Sequence, residues 1–111
     1  MEISLRFIGT SEEDLRWFII ADGRHAGGIT VHNCNPPAFS YGIAVSPHMR
    51  RIGVAKAALC LLFWEMTKRG FTEALVSVHA YNAASLALHE SLGFHRVSIA
   101  EGVIRMKKAL T

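Results

Sequence analysis

Three cations, Arg50, Arg51 and Lys56, stand with Gly53 around one turn of the segment 41–56, where an apolar strand ends at Pro47 and an apolar helix begins. A helix starting there has backbone N–H groups without an intrahelical partner and the positive end of its dipole, and both favour an anion. Gly53 lets a phosphate approach the backbone, and Arg50 and Arg51 add mobile charge. The spacing is neither GxxxxGK[ST] nor GxGxxG, so the nucleotide-hydrolase and dinucleotide readings lack their required residues. Taken alone, the turn is either a phosphate site or an ordinary strand-to-helix junction with surface arginines. Cys34 and Cys60 are far apart and show no CxxC or His-rich spacing, so neither a metal site nor a disulfide is expected. Neither has an activating partner nearby in sequence, which argues against a thiol nucleophile. Cys60, inside the apolar helix, reads as a small core residue.

Seven segments have the composition of strands: Ile3 to Ile8, Trp17 to Ala21, Gly28 to His32, Phe39 to Val45, Ala74 to His79, Arg96 to Ile99 and Val103 to Met106. Asp22-Gly23 marks a hairpin between the second and third. A helix is expected from about Arg51 to Arg69, with Gly70 as its stop, and another from about Asn82 to Leu92. Asn82 is the N-cap of the second, Gly93 its left-handed C-terminal residue, and Phe94 able to fold back on the last turn. The order of elements gives a mixed α/β sheet with helices on its faces. One domain over residues 1–111 is expected, since 111 residues that are 50% apolar and 19% charged suit one core. No stretch is long enough to span a bilayer and the N-terminus lacks signal-peptide order, so a cytoplasmic protein and no membrane partner are expected. The formal charge of +3, with six histidines neutral, is a mild bias toward anionic partners. Without a continuous basic stripe or interleaved aromatics, nucleic acid is a minor reading.

Arg50-x-x-Gly53-x-Ala55 resembles the [QR]xxGx[GA] signature of the GCN5-related N-acetyltransferase (GNAT) superfamily. The segment from Asn82 to Phe94 is similar to that family's second acyl-CoA motif, and the likeness covers about residues 39 to 99, nearest to the enzymes that acetylate protein N-termini. The resemblance implies a GNAT fold: a mixed, mostly antiparallel central sheet with helices on its faces. It implies that Arg50, Arg51, Ile52, Gly53, Val54, Ala55 and Lys56 hold the pyrophosphate of acetyl-CoA, mostly through backbone amides. It also implies that the strand edge at Ile43, Ala44 and Val45 pairs with pantetheine. The Val45 amide would then stabilise the oxyanion of the tetrahedral intermediate, and Asn82 would touch the CoA arm or serve only as N-cap.

Three positions depart from the family pattern. His89 replaces the tyrosine that protonates the leaving thiolate; it is either a proton donor or a packed residue. Ser77 replaces a glutamate used as base, for which His79 on the same sheet face is a possible substitute. Only Gly9 to Arg16 separate the first two strands, where two helices are usual, and Glu12, Glu13 and Asp14 allow one short helical turn at most. The leading reading is acetyl transfer from acetyl-CoA to a primary amine by direct attack, with no metal; the alternative is an acyl-CoA-binding or regulatory module without turnover. A homodimer is expected because Leu59, Phe63 and Trp64 cannot all face one sheet together with Ala58, Leu62 and Met66. Cover by the N-terminal strands is the other possibility.

Overall fold

Apolar residues at every second position from Ile3 lay down strand β1 (Ile3–Ser11), which pairs antiparallel with β2 (Asp14–Ala21). The structure, a computed structural model, describes residues 1–11, 14–50 and 53–110. Asp22 and Gly23, with φ of 50° and 81°, make the two-residue turn whose twist suits a hairpin, and the chain returns as β3 (Arg24–Asn35). A third antiparallel pairing brings β4 (Ala38–Val45) beside β3. Ser46 and the short 3₁₀ turn Pro47–Met49 then lead to helix α1 (Val54–Lys68). Strand β5 (Glu73–His79), helix α2 (Ala83–Ser91), and strands β6 (His95–Ala100) and β7 (Val103–Ala109) complete the described order. The sheet runs β1-β2-β3-β4-β5-β7-β6, and among the described residues only the neighbours β4 and β5 are parallel.

Both helices end as their glycines dictate. Gly70 and Gly93 hold φ of 94° and 96°, and the next N–H reaches back to the last turn, Phe71 to Met66 and Phe94 to His89. Across the sheet the register stacks Leu5 on Ile19, Trp17 on Ile29, Val31 on Tyr41, Phe39 on Ala74 and Val76 on Met106. These side chains build one apolar face, and α1 buries Val54, Ala58, Leu59, Leu62, Phe63 and Met66 against it. Tyr41 touches Phe63 of α1 and His89 of α2, so both helices share this face. The opposite face, with Phe18, Gly42, Ala44, Ser77 and His79 exposed, carries no helix among the described residues.

Several expectations change. Leu59 and Phe63 join Ala58, Leu62 and Met66 in the core, because a helix lying in a concave, twisted sheet can bury a wide stripe; only Trp64 stays out, 64% exposed. Cys60 is exposed, being on the opposite side of α1 from Ala58 and Leu62. Asp14 belongs to β2, paired with Ser11, and not to a helical turn; Glu12 and Glu13 lie outside the described residues. No helix is long and apolar enough to cross a membrane, and no cluster of three or more His, Cys, Asp and Glu could hold a metal ion, among the described residues.

Candidate functional site

Parallel pairing of β4 with β5 stops after three register pairs, Ala38 with Glu73, Phe39 with Ala74 and Ser40 with Leu75. Beyond Ser40 the two strands part, while β5 stays paired with β7 along its whole length. A wedge opens along residues 41–45, about 16 Å of strand edge at the usual rise. Alternation decides which groups line it. The Ser46 N–H donates to Ala26 of β3 at 2.8 Å, so Val45 and Ile43 turn their N–H and C=O the other way, into the wedge. Ala44 bonds toward β3 and contributes its methyl to the open face. Ile43 and Val45 are half-buried on the helix side.

The wedge leads to the start of α1. Gly53 is its N-cap in the left-handed conformation, φ 82°, and no acidic residue stands in the first turn. Ala57 is the first residue whose N–H bonds within the helix, to Gly53 at 3.1 Å. Ahead of it the N–H groups of Val54, Ala55 and Lys56, the first turn of the helix, have no partner among the described residues. Val54 buries its side chain, so only its backbone can serve, whereas Lys56 and Arg50 are exposed. Arg50 also ties the two parts together, its Nε–H donating to the Val45 carbonyl at 3.1 Å. Arg51 and Ile52 lie outside the described residues. Asn82 caps α2, its Oδ1 accepting from the Ser85 N–H at 3.1 Å.

A match to the Acetyltransferase (GNAT) family model spans residues 3–94. The chain belongs to this family. It is 35% identical over 88 residues to the [ribosomal protein bS18]-alanine N-acetyltransferase of Escherichia coli K12, covering 79% of this chain and 60% of that one. The chain thus spans about three-fifths of the curated relatives it matches. The crystal structure of the S18-alanine N-acetyltransferase from Escherichia coli superposes with a TM-score of 0.79 at 28% identity, over 92% of this chain and 72% of that one. The Thermoplasma acidophilum PaiA N-acetyltransferase, solved in complex with coenzyme A, shares the fold at TM-score 0.80 and 19% identity, over 87% and 61%. The mixed, mostly antiparallel sheet is that of the GNAT fold, and in this chain α1 and α2 share one face of it.

The GNAT positions that differ here are set apart by burial. His89 is 1% exposed. Its Nδ1 lies 2.8 Å from the Ser85 carbonyl, which can only accept, so Nδ1 carries the proton and Nε2 accepts from the Tyr41 hydroxyl at 2.8 Å. No ring proton is left for a thiolate, and of the two readings of His89 the geometry favours the packed one. Burial pushes its imidazole below the usual range, against a smaller upward pull from Ser85, and pushes the Tyr41 phenol well above its own. Ser77 and His79 point to the open face, where His79 stacks on Tyr81 with ring centres 5.1 Å apart.

Two features escaped the sequence. Tyr41 is bound to His89 from 48 residues away, which no local pattern signals. An open hollow of about 390 Å³ is lined by Phe18, His25, Gly27, Gly28, Ala44, Val45 and Ser46. The pair Gly27-Gly28 was its available signal, since glycine inside a strand marks a bulge or a close backbone approach. A Cβ on Gly27 would collide with the Ala44 carbonyl.

Proposed function

We propose that the chain is an N-acetyltransferase that moves the acetyl group of acetyl-CoA to a primary amine by direct attack. The observation that carries this reading is the wedge between β4 and β5, with the backbone of Ile43 and Val45 turned into it and the uncapped start of α1 at its end. Pantetheine lies along Ile43, Ala44 and Val45; the pyrophosphate sits over Gly53, Val54, Ala55 and Lys56 with Arg50, Arg51 and Ile52 beside it; Asn82 meets the CoA arm with the amide N–H left free by its capping oxygen. The Val45 N–H takes the oxyanion, a contribution of about 3 kcal/mol. Solvent, not His89, protonates the departing thiolate. By analogy with the Escherichia coli relative, the first acceptor to try is a peptide beginning with alanine. The work is done in the cytoplasm.

One observation favours a second reading, binding of acyl-CoA without turnover: Ser77 offers no carboxylate and His89 no free proton. Mass spectrometry of alanyl peptides, amino acids and polyamines incubated with acetyl-CoA, with CoA release followed in parallel, separates the two. Acetylated product is expected. Thermal stabilisation by acetyl-CoA with no product from any acceptor would replace the enzyme with the binding module.

A homodimer remains part of the proposal, on a smaller surface than the sequence suggests. With Leu59 and Phe63 in the core, Trp64 is the exposed large apolar side chain left on α1 among the described residues, and Phe7 is exposed on β1. Light scattering should give twice 12.2 kDa, and Trp64→Glu the single mass; a wild type at the single mass removes the dimer.

A further inference from the structure

The hollow beside Val45 has a lining that the CoA-binding groups do not explain. Its floor is Gly27 and Gly28, its walls are the Phe18 ring and the Ala44 methyl, and its one titratable side chain is His25. A bulge in β3 sets this arrangement. Ile19 pairs with Gly27 but Ile20 pairs with His25, so Ala26 is the extra residue and turns into the core. His25 and Gly28, three apart, therefore share the open face, as bulges beside sites often arrange. The Phe18 ring stands edge-on to the imidazole at 4.8 Å and limits its swing.

The geometry points to His25 as the group that receives the proton of the acceptor amine, with the hollow as the amine's seat. This deepens the acetyl-transfer reading and rests on it. His25 and Val45, the register partner of Gly27, line the same hollow, so an amine seated there would have the imidazole on one side and, on the other, the strand whose Val45 amide opens on the wedge where a thioester carbonyl would be held. His25 takes one proton from the ammonium. The freed lone pair forms the C–N bond, and the carbonyl electrons move to the oxygen facing Val45. They return as the C–S bond breaks, while the nitrogen's second proton passes through water to the thiolate. The imidazolium then loses its proton to solvent at the open mouth.

The lining also selects the acceptor. Among the described residues no carboxylate lines the hollow, so a second cationic group finds no partner in that lining; a primary amine on a small apolar carbon fits, and a polyamine does not. From β2 the residues beside His25 are Phe18 and Ile20, and the hollow adds Ala44 of β4 and Ser46 just after it, none of which titrates. Arg24 next to it in β3 and Asp22 in the turn are its nearest charged neighbours in the chain.

The test uses an alanyl peptide and spermidine as acceptors, with wild type, His25→Gln and Gly28→Leu. At pH 7, His25→Gln should lower kcat/KM for the peptide about a hundredfold, and the deficit should close by about pH 9, above the α-amino pKa of about 8. Gly28→Leu has room to fold, since a Cβ there meets only the Trp17 carbonyl at 3.5 Å. It should raise KM for the peptide about tenfold or more and leave KM for acetyl-CoA unchanged. Histidine-labelled NMR gives a readout without turnover: the peptide, added to CoA-loaded protein, should shift the His25 resonance, and spermidine should not. A His25→Gln pH profile matching wild type, or an unmoved His25 resonance, overturns the proposal. A shifted resonance without product supports the amine seat and overturns the acetyl-transfer reading, so the two failures separate.

Discussion

The two helices begin in opposite ways. Helix α2 closes its own start: the Asn82 side chain accepts from the Ser85 N–H, and its last turn is pinned to the core through His89 and Tyr41. Helix α1 begins at a left-handed glycine with no side chain to offer, no acidic residue in its first turn, and Arg50 and Lys56 on either side. A sequence that can cap a helix and does so in one place leaves the other start without a side-chain cap, as the proposed ligand site requires. The contrast separates donors spent on folding from donors proposed for binding.

The sharpest way to break it is Gly53→Glu, which puts a like charge at the phosphate position and a side chain at φ 82°. Wild type at a hundredfold excess of acetyl-CoA over Kd should gain about 2.7 kcal/mol, read as a rise in Tm; the variant should gain nothing. Equal gains would move the binding site elsewhere. Next in size is His89→Ala, which leaves the Tyr41 hydroxyl without its partner and a void in the core. A loss of about 3 kcal/mol in denaturant unfolding is expected, with acetyl-CoA affinity nearly unchanged. A large loss of turnover at unchanged stability would instead restore His89 as a proton donor. Asn82→Ala should cost about 1 kcal/mol, again from unfolding curves; a loss of affinity far exceeding that would make α2's start a ligand site too.

The smallest effect follows from the lowered pKa of His89. The unfolded chain protonates near the usual 6.5 and the folded chain only below it. The unfolded state therefore binds more protons as pH falls below 6.5, and stability is lost between there and the lowered value. Unfolding midpoints from pH 7.5 to 5 should show this slope in wild type and a shallower one in His89→Gln. Identical slopes would mean that the imidazole is not held neutral in the fold.

What could be read in advance follows the same division. Gly70, Asn82 and Gly93 announced their places because caps require particular residues, and the Arg50 to Ala55 spacing carried the family, whereas α1 begins at Val54 after a left-handed Gly53 and not at about Arg51. The start of β3 was lost because Gly27-Gly28 looks like a break, although a bulge explains it. The faces of α1 were misjudged because apolar residues occupy nearly every position from Ala57 to Trp64, which leaves Cys60 and Leu59 indistinguishable by period. The fate of His89 depended on Tyr41, a partner set by topology alone.

The three register pairs that join β4 to β5 also bear on how the molecule comes apart. With the Thr72 and Glu73 N–H bonds to the Pro37 carbonyl, they are the backbone rungs among the described residues between a four-strand meander, β1 to β4, and a three-strand unit, β5, β7 and β6. Each unit is closely stitched within itself, so opening should begin at this seam, as a subglobal event well below the cost of full unfolding. A ligand lying along Ile43 and Val45 supplies the missing rungs. Occupancy would then be felt as cooperativity: amides on both sides of the seam should exchange with solvent at separate rates in the free chain and at one common rate when it is filled.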